Sequence, residues 1–198
     1  GPVLPEALAI IHPKLPDSIN PFRELAGVGV AFKLAHALYG ELPEHLLEIA
    51  VIGTIADLVS LKDENRLIAK KGLEQLKVTK NKGLKAILKV AGVDRQNINE
   101  ETIGFSLAPR INAVGRLENA DMAVDLLLTD DPIEAENLAQ EMDELNKTRQ
   151  SIVNSITLEA IEEVERNYPI ESNSVLVIGK EGWNAGVIGI VASRLVEK

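Results

Sequence analysis

One stretch, Asp131 to Tyr168, constrains this chain more than any other. Asp131 suits a helix N-cap and Pro132 the first helical position. From there Leu138, Met142, Leu145, Ile152, Ile156 and Val164 keep one apolar stripe until Tyr168-Pro169, where pre-proline geometry stops a helix. At 1.5 Å per residue such a helix spans roughly 50 Å. A striped, charged helix of that length connects or braces domains. Beyond it the pattern changes. Ser174–Gly179 reads as a buried β-strand, Lys180–Gly186 as a turn and Val187–Glu197 as a helix. Strand, glycine-bearing turn and helix together open an α/β unit. The expected fold class is therefore α/β, in three parts: a helix-rich 1–130, a connecting helix 131–168, and the start of an α/β domain at 169–198.

The first part divides at glycine and proline. Ala7–His12 is a short apolar run readable as a strand, and Pro13, Pro16, Asp17 and Asn20-Pro21 mark a loop. Leu25, Val28, Phe32, Ala35 and Leu38 fall at helical spacing over Glu24–Tyr39, with Gly40 as a natural stop. Further helices are expected from Pro43 to near Thr54, over Glu64–Leu76, over Gly83–Val90, from Glu100 to about Leu107 with Pro109 interrupting, and over Met122–Leu128.

Composition narrows the chemistry. No cysteine occurs among the 198 residues, which removes disulfides, thiolate metal sites and a cysteine nucleophile. A metal ion here needs oxygen and imidazole ligands, favouring Mg²⁺ or Mn²⁺ over structural zinc. Aromatics make up 3%, too few for a surface built on stacked bases. The net charge of −9 argues against a general nucleic-acid coat, but not against an enzyme that holds phosphates through a metal and a few placed arginines. Much of the acid lies in Asp130–Glu165, as expected of a solvated helix face. With no signal peptide and no long uncharged apolar stretch, a membrane protein is not expected and a cytoplasmic one is the default.

Three segments can carry chemistry. Asp57 stands in the apolar run Ile52–Leu61, with no Lys or Arg within four residues on either side. Burying it there requires a cation, a metal or several donors, unless it caps the end of an element. Arg110, Asn112 and Arg116 fall in a second, largely apolar stretch, Ala108–Leu117. Half-buried guanidinium groups hold carboxylate or phosphate, so an internal clamp and an anion site are both open. The third is Gly182-Trp-Asn-Ala-Gly186 before the last helix. Trp183, Asn184 and Gly186 offer a polar handle or bare backbone at a turn, against tight strand–helix packing as the alternative. His12, His36 and His45 are isolated and read as structural or solvated. No P-loop or Ser-His-Asp order is present.

Thr54–Leu61 followed by Glu64-Asn-Arg66, then Pro109–Leu117, then Gly182–Arg194, together with Leu25–Lys33, resemble the DHH phosphoesterase family, in its single-strand-specific 5′→3′ DNA exonuclease branch. The motifs stand in that family's order along nearly the whole chain. The resemblance implies the C-terminal portion of a DHH domain at 1–130, a connecting helix at 131–168 and a DHH-associated domain from 169. It implies hydrolysis of phosphodiester bonds with Mn²⁺ or Mg²⁺, in DNA repair and recombination. It makes Asp57 a metal ligand and hence catalytic, and Arg110, Asn112 and Arg116 contacts to single-stranded DNA. Trp183, Asn184 and Gly186 become part of a substrate-binding turn. A helicase or a single-strand-binding protein are the candidate partners. Asn184 departs from the family's histidine, which leaves its role open. The Asp-x-Asp, the second aspartate and the Asp-His-His signature are missing, so these residues are expected to be an internal portion with no nuclease activity alone and with Asp57 lacking its co-ligands. The other readings are a catalytically inactive DHH-family replication scaffold, a DHH phosphoesterase of short oligonucleotides or cyclic dinucleotides, and an unrelated helical interaction module.

Overall fold

The computed structural model describes residues 4–16, 18–168 and 175–197. The chain divides into two compact units, Gly1–Ala108 and Pro109–Lys198. Every regular element among the described residues is helical.

The first unit is built around a helix that is apolar on nearly all sides. Helix α1 (Gly27–Tyr39) begins after Ala26, whose extended backbone (ψ 159°) delays the start beyond Glu24, and it ends at Gly40, left-handed at φ 73°. Helix α2 (Leu47–Ala56) follows a 3-10 turn, Glu44–Leu46. Leu47, Ala50, Val51, Ile52, Thr54 and Ile55 of α2 are all buried. Helix α3 (Asp63–Lys77) packs on α2 so closely that a Cβ on Gly72 would sit 2.4 Å from the Val51 Cβ and 2.5 Å from the Leu47 carbonyl oxygen. On the α1 side, a Cβ on Gly53 would meet Val28 at 2.8 Å. Helix α4 (Lys82–Val90) starts at Asn81, whose Oδ1 accepts from the Leu84 N–H, and it buries Leu84, Ile87 and Leu88 completely.

Pro109 does not interrupt the following helix. Thr102–Leu107 widens into a π-helical turn, with the Ala108 N–H donating to the Ile103 carbonyl five residues back, and α5 (Ala108–Leu117) continues from it. A proline ring in a regular helix strikes the carbonyl four residues earlier and leaves it without a donor. A π turn shifts that register, so the helix survives.

In the second unit, α6 (Asp121–Leu128) and α8 (Ile188–Val196) both pack on α7 (Pro132–Asn167). Helix α7 is 36 residues long and starts as expected, the Asp131 Oδ1 accepting from the Ile133 N–H at 2.9 Å. Its buried stripe is Ala135, Ala139, Met142, Asn146, Val153, Ile156 and Ala160. Leu138, Leu145, Ile152 and Val164 flank that stripe half-buried instead of forming it. Val153, Ile156, Ala160, Val187 and Val191 form this unit's core, with Leu117, Ile152, Trp183, Ile190 and Leu195 around it.

Both expected strands need correction. Ala7–His12 forms no strand: Leu8 is fully exposed and Ile11 half so. Of Ser174–Gly179, Ser174 lies outside the described residues and the rest is unpaired backbone, with Val175 and Val177 exposed. A strand is defined by a partner ladder as well as by its own residues. No element among the described residues supplies one. The α/β start therefore is not seen here, and the described chain is helix-rich. Pro169, expected to end the long helix, also lies outside the described residues.

Candidate functional site

Asp57 is exposed, not drawn into the core as the apolar run suggested. Helix α2 ends at Ala56, so Ile52 and Ile55 belong to the buried helix while Asp57 and Leu58 project from its C-terminus. The Asp57 N–H donates to the Gly53 carbonyl, closing the last turn. Its carboxylate has no hydrogen-bond or ion-pair partner among the described residues. A carboxylate at the negative end of a helix dipole is mildly unfavourable, and the two like-signed features together attract a cation.

The loop that follows is held in an unusual shape. Leu58 (φ 55°) and Asp63 (φ 44°) are both left-handed, a conformation non-glycine residues seldom adopt. Asn65 fastens the loop from below: fully buried, its Nδ2 donates to the Ser60 carbonyl at 3.0 Å and to the Glu24 carbonyl at 2.7 Å. Its Oδ1 is buried without a partner. Strained backbone of this kind gathers where a side chain must be aimed. The result is an unpartnered carboxylate at the end of a buried helix, followed by a tethered loop. It is only one ligand, however. No group of three or more His, Asp or Glu able to hold a metal occurs among the described residues. Asp57 fits the hard-oxygen chemistry of Mn²⁺ or Mg²⁺ but does not form a site by itself.

The arginine segment lies in the second unit. Arg110 Nε donates to Asp143 Oδ1 at 2.8 Å, and Lys147 Nζ is 2.7 Å from Asp143 Oδ2. Burial pushes the Asp143 carboxyl up, but Lys147 and Arg110 outweigh it and hold the group below its usual range. This is the internal clamp left open by the sequence. Asn112 is exposed and makes no hydrogen bond among the described residues. Arg116 is different again. Its Nη1 donates to the Gly186 carbonyl at 2.7 Å, and its own carbonyl oxygen lies where a Cβ on residue 186 would sit, at 2.3 Å. Only glycine fits there.

The turn before α8 is tied down internally. Asn184 Oδ1 accepts from the Gly186 N–H at 2.8 Å, forming an Asx-type turn. Trp183 packs on the core and its Nε1 donates to Glu159 Oε2, which Lys180 also engages at 2.7 Å. Bonds from Lys180 and Trp183 lower the Glu159 pKa. Two residues near Arg116 were not singled out from the sequence. Arg149 sits half-buried on α7, its Nη2 2.8 Å from Asn146 Oδ1, and Arg194 on α8 donates to Asn154 Oδ1 at 2.6 Å. Arg149 was hidden in a helix read as an acidic face. Its one sequence signal is its lack of an acidic residue at either i−4 or i+4.

No protein-family profile matches the chain. Individual proteins do match it from end to end, and they are single-stranded-DNA-specific exonucleases. They are RecJ proteins, and the chain is similar over its whole length to a part of them. It is 60% identical over all 198 residues to RecJ of Bacillus subtilis strain 168, and 39% identical to that of Escherichia coli K12. It spans 25% of the length of the first and 37% of the second. Among solved structures, an exonuclease RecJ bound to manganese superposes with a TM-score of 0.80 at 34% identity, covering all of this chain and 49% of that one. RecJ of Thermus thermophilus in complex with Mg²⁺ gives 0.77 at 33% identity, covering 92% of this chain and 28% of that one.

Proposed function

We propose that this chain is an internal portion of a single-stranded-DNA-specific 5′→3′ exonuclease acting in DNA repair and recombination. The observation that carries the reading is 60% identity, over the whole chain, to a single-stranded-DNA-specific exonuclease. Residues 1–130 supply the later part of a DHH domain, 131–168 the connecting helix and 169–198 the start of a DHH-associated domain. Asp57 is one carboxylate ligand of a catalytic Mn²⁺ or Mg²⁺, with its co-ligands outside these 198 residues; the relatives' structures with Mg²⁺ and manganese support this choice of ion. Such an ion, when bound, activates water and stabilises charge on the leaving oxygen. Asp57 contributes an oxygen donor at the end of α2, where its backbone N–H closes the last turn. Arg116 and Asn112, with Arg110 held by Asp143, offer contacts to the DNA backbone. Trp183, Asn184 and Gly186 shape the turn that Arg116 grips. The setting is cytoplasmic, with a helicase or single-strand-binding protein as partner.

The test is Mn²⁺-dependent release of nucleotides from 5′-labelled single-stranded DNA. The full-length protein should digest it, Asp57→Asn should lower the rate by a factor of about 10³ or more, as expected when an electrostatic element of a transition state is removed, and the 198-residue chain should be inactive. Digestion by the short chain, or full activity in Asp57→Asn, overturns the reading.

A further inference from the structure

We infer that Arg116, Arg149 and Arg194 form a seat for backbone phosphates of single-stranded DNA, a site in which Arg149 and Arg194 are as necessary as Arg116. The inference rests on the exonuclease reading for its choice of polyanion. Its geometry stands independently.

The three residues come from α5, α7 and α8, yet one core holds them. Arg116 precedes Leu117, Arg149 lies one turn before Ile152 and Val153, and Arg194 precedes Leu195. All four of those apolar residues belong to the cluster around Val187 and Val191. The guanidinium groups are oriented by neutral oxygens alone: the Gly186 carbonyl for Arg116, Asn146 Oδ1 for Arg149 and Asn154 Oδ1 for Arg194. None has a carboxylate partner among the described residues, in a chain with 30 acidic residues against 21 basic ones. Elsewhere in the same unit the pattern is the reverse. Arg110, Lys147 and Lys180 each reach an acid within 2.8 Å. A neutral oxygen fixes a guanidinium without cancelling its charge, and leaves most of its five donors unspent.

The electrostatics agree. Burial, and after it the charges of Arg116 and Arg194, push the Arg149 pKa down. Like charges around one core that lack carboxylate partners cost free energy in the bare protein. An anion recovers that cost on binding. A phosphodiester suits the site because its two free oxygens accept the parallel donors of a guanidinium. A flexible single strand can bring neighbouring phosphates to separate guanidinium groups.

The experiment is anisotropy of a labelled oligothymidylate of about 20 nucleotides with the 198-residue chain, without divalent metal, across a series of salt concentrations. Each phosphate neutralised on a single strand contributes about 0.7 to the slope of log affinity against log salt. The pair Arg149→Gln with Arg194→Gln should therefore flatten the slope by about 1.4 and weaken binding about tenfold or more at ~0.1 M salt. The matching Lys pair should keep the slope. The inference is overturned if the Gln pair leaves affinity and slope unchanged, if the Lys pair flattens the slope as far as the Gln pair does, or if the unaltered chain does not bind. The exonuclease reading is judged elsewhere, by Asp57-dependent hydrolysis in the full-length protein, so the two can fail separately.

Discussion

Gly72→Ala should destabilise the first unit, although alanine is the better helix former. The added Cβ would lie 2.4 Å from the Val51 Cβ and 2.5 Å from the Leu47 carbonyl oxygen, where ordinary contacts fall at 3.4–4 Å. One of those atoms is backbone and the other is a branch point on the buried helix α2, so neither can swing aside as a side-chain tip would. Helices α2 and α3 must part by about 1 Å, and a gap of that size forfeits a quarter to a half of each contact's attraction. Overpacking of this kind costs about 3 kcal/mol at the upper end. The gain from replacing glycine in a helix is about 1 kcal/mol. The net loss is about 2 kcal/mol. With a urea slope of about 2 kcal/mol per molar, the midpoint falls by about 1 M. Far-UV circular dichroism should follow the loss. Trp183, the single tryptophan, reports the second unit. Gly104→Ala is the internal control, since nothing lies within 4 Å of its Cβ position, and it should be neutral or stabilising by up to ~1 kcal/mol. An unchanged or raised midpoint for Gly72→Ala would refute the packing argument.

Two further outcomes are expected. Leu58 is 88% exposed and left-handed, so Leu58→Gly loses little burial and relieves strain of about 1–2 kcal/mol, partly offset by the greater freedom of glycine when unfolded. Its thermal midpoint should rise slightly, and a clear fall would show that the side chain matters more than the backbone. Asp143 is held below its usual pKa, so its contribution to stability is fully present above about pH 4 and is lost as pH falls through the lower folded value. Asp143→Asn should cost roughly 2–3 kcal/mol at neutral pH, since Arg110 loses its counter-charge, and should flatten the acid limb of the urea-midpoint profile. An acid limb equally steep in the variant would assign it to other carboxylates.

Where the chain marks its own ends, the sequence was readable. Gly40 closes α1, and Asp131-Pro132 opens α7, because capping depends on a few adjacent atoms. Asp57 shows the opposite. Its apolar neighbours in sequence are split by the end of α2 into a buried side and an exposed one, so the run said nothing of its burial. The strand at Ser174–Gly179 depended on a partner that a local pattern cannot supply. Pro109 carried the right local rule and the wrong outcome, since a π turn absorbed the lost donor. Arg149 was invisible for another reason: charge in a solvated helix looks alike whether or not each group has found an opposite.

The mutual grip of Arg116 and Gly186 has a consequence for motion. Each contributes its carbonyl to the other's surroundings, one as a hydrogen-bond acceptor and one as a wall against the bare Cα. The end of α5 and the turn before α8 therefore cannot open separately. Their amides should exchange with solvent as one cooperative unit, although 70 residues of chain lie between them. By thermodynamic reciprocity, whatever an anion held by Arg116 gains from that closed turn, the turn gains in protection from the anion.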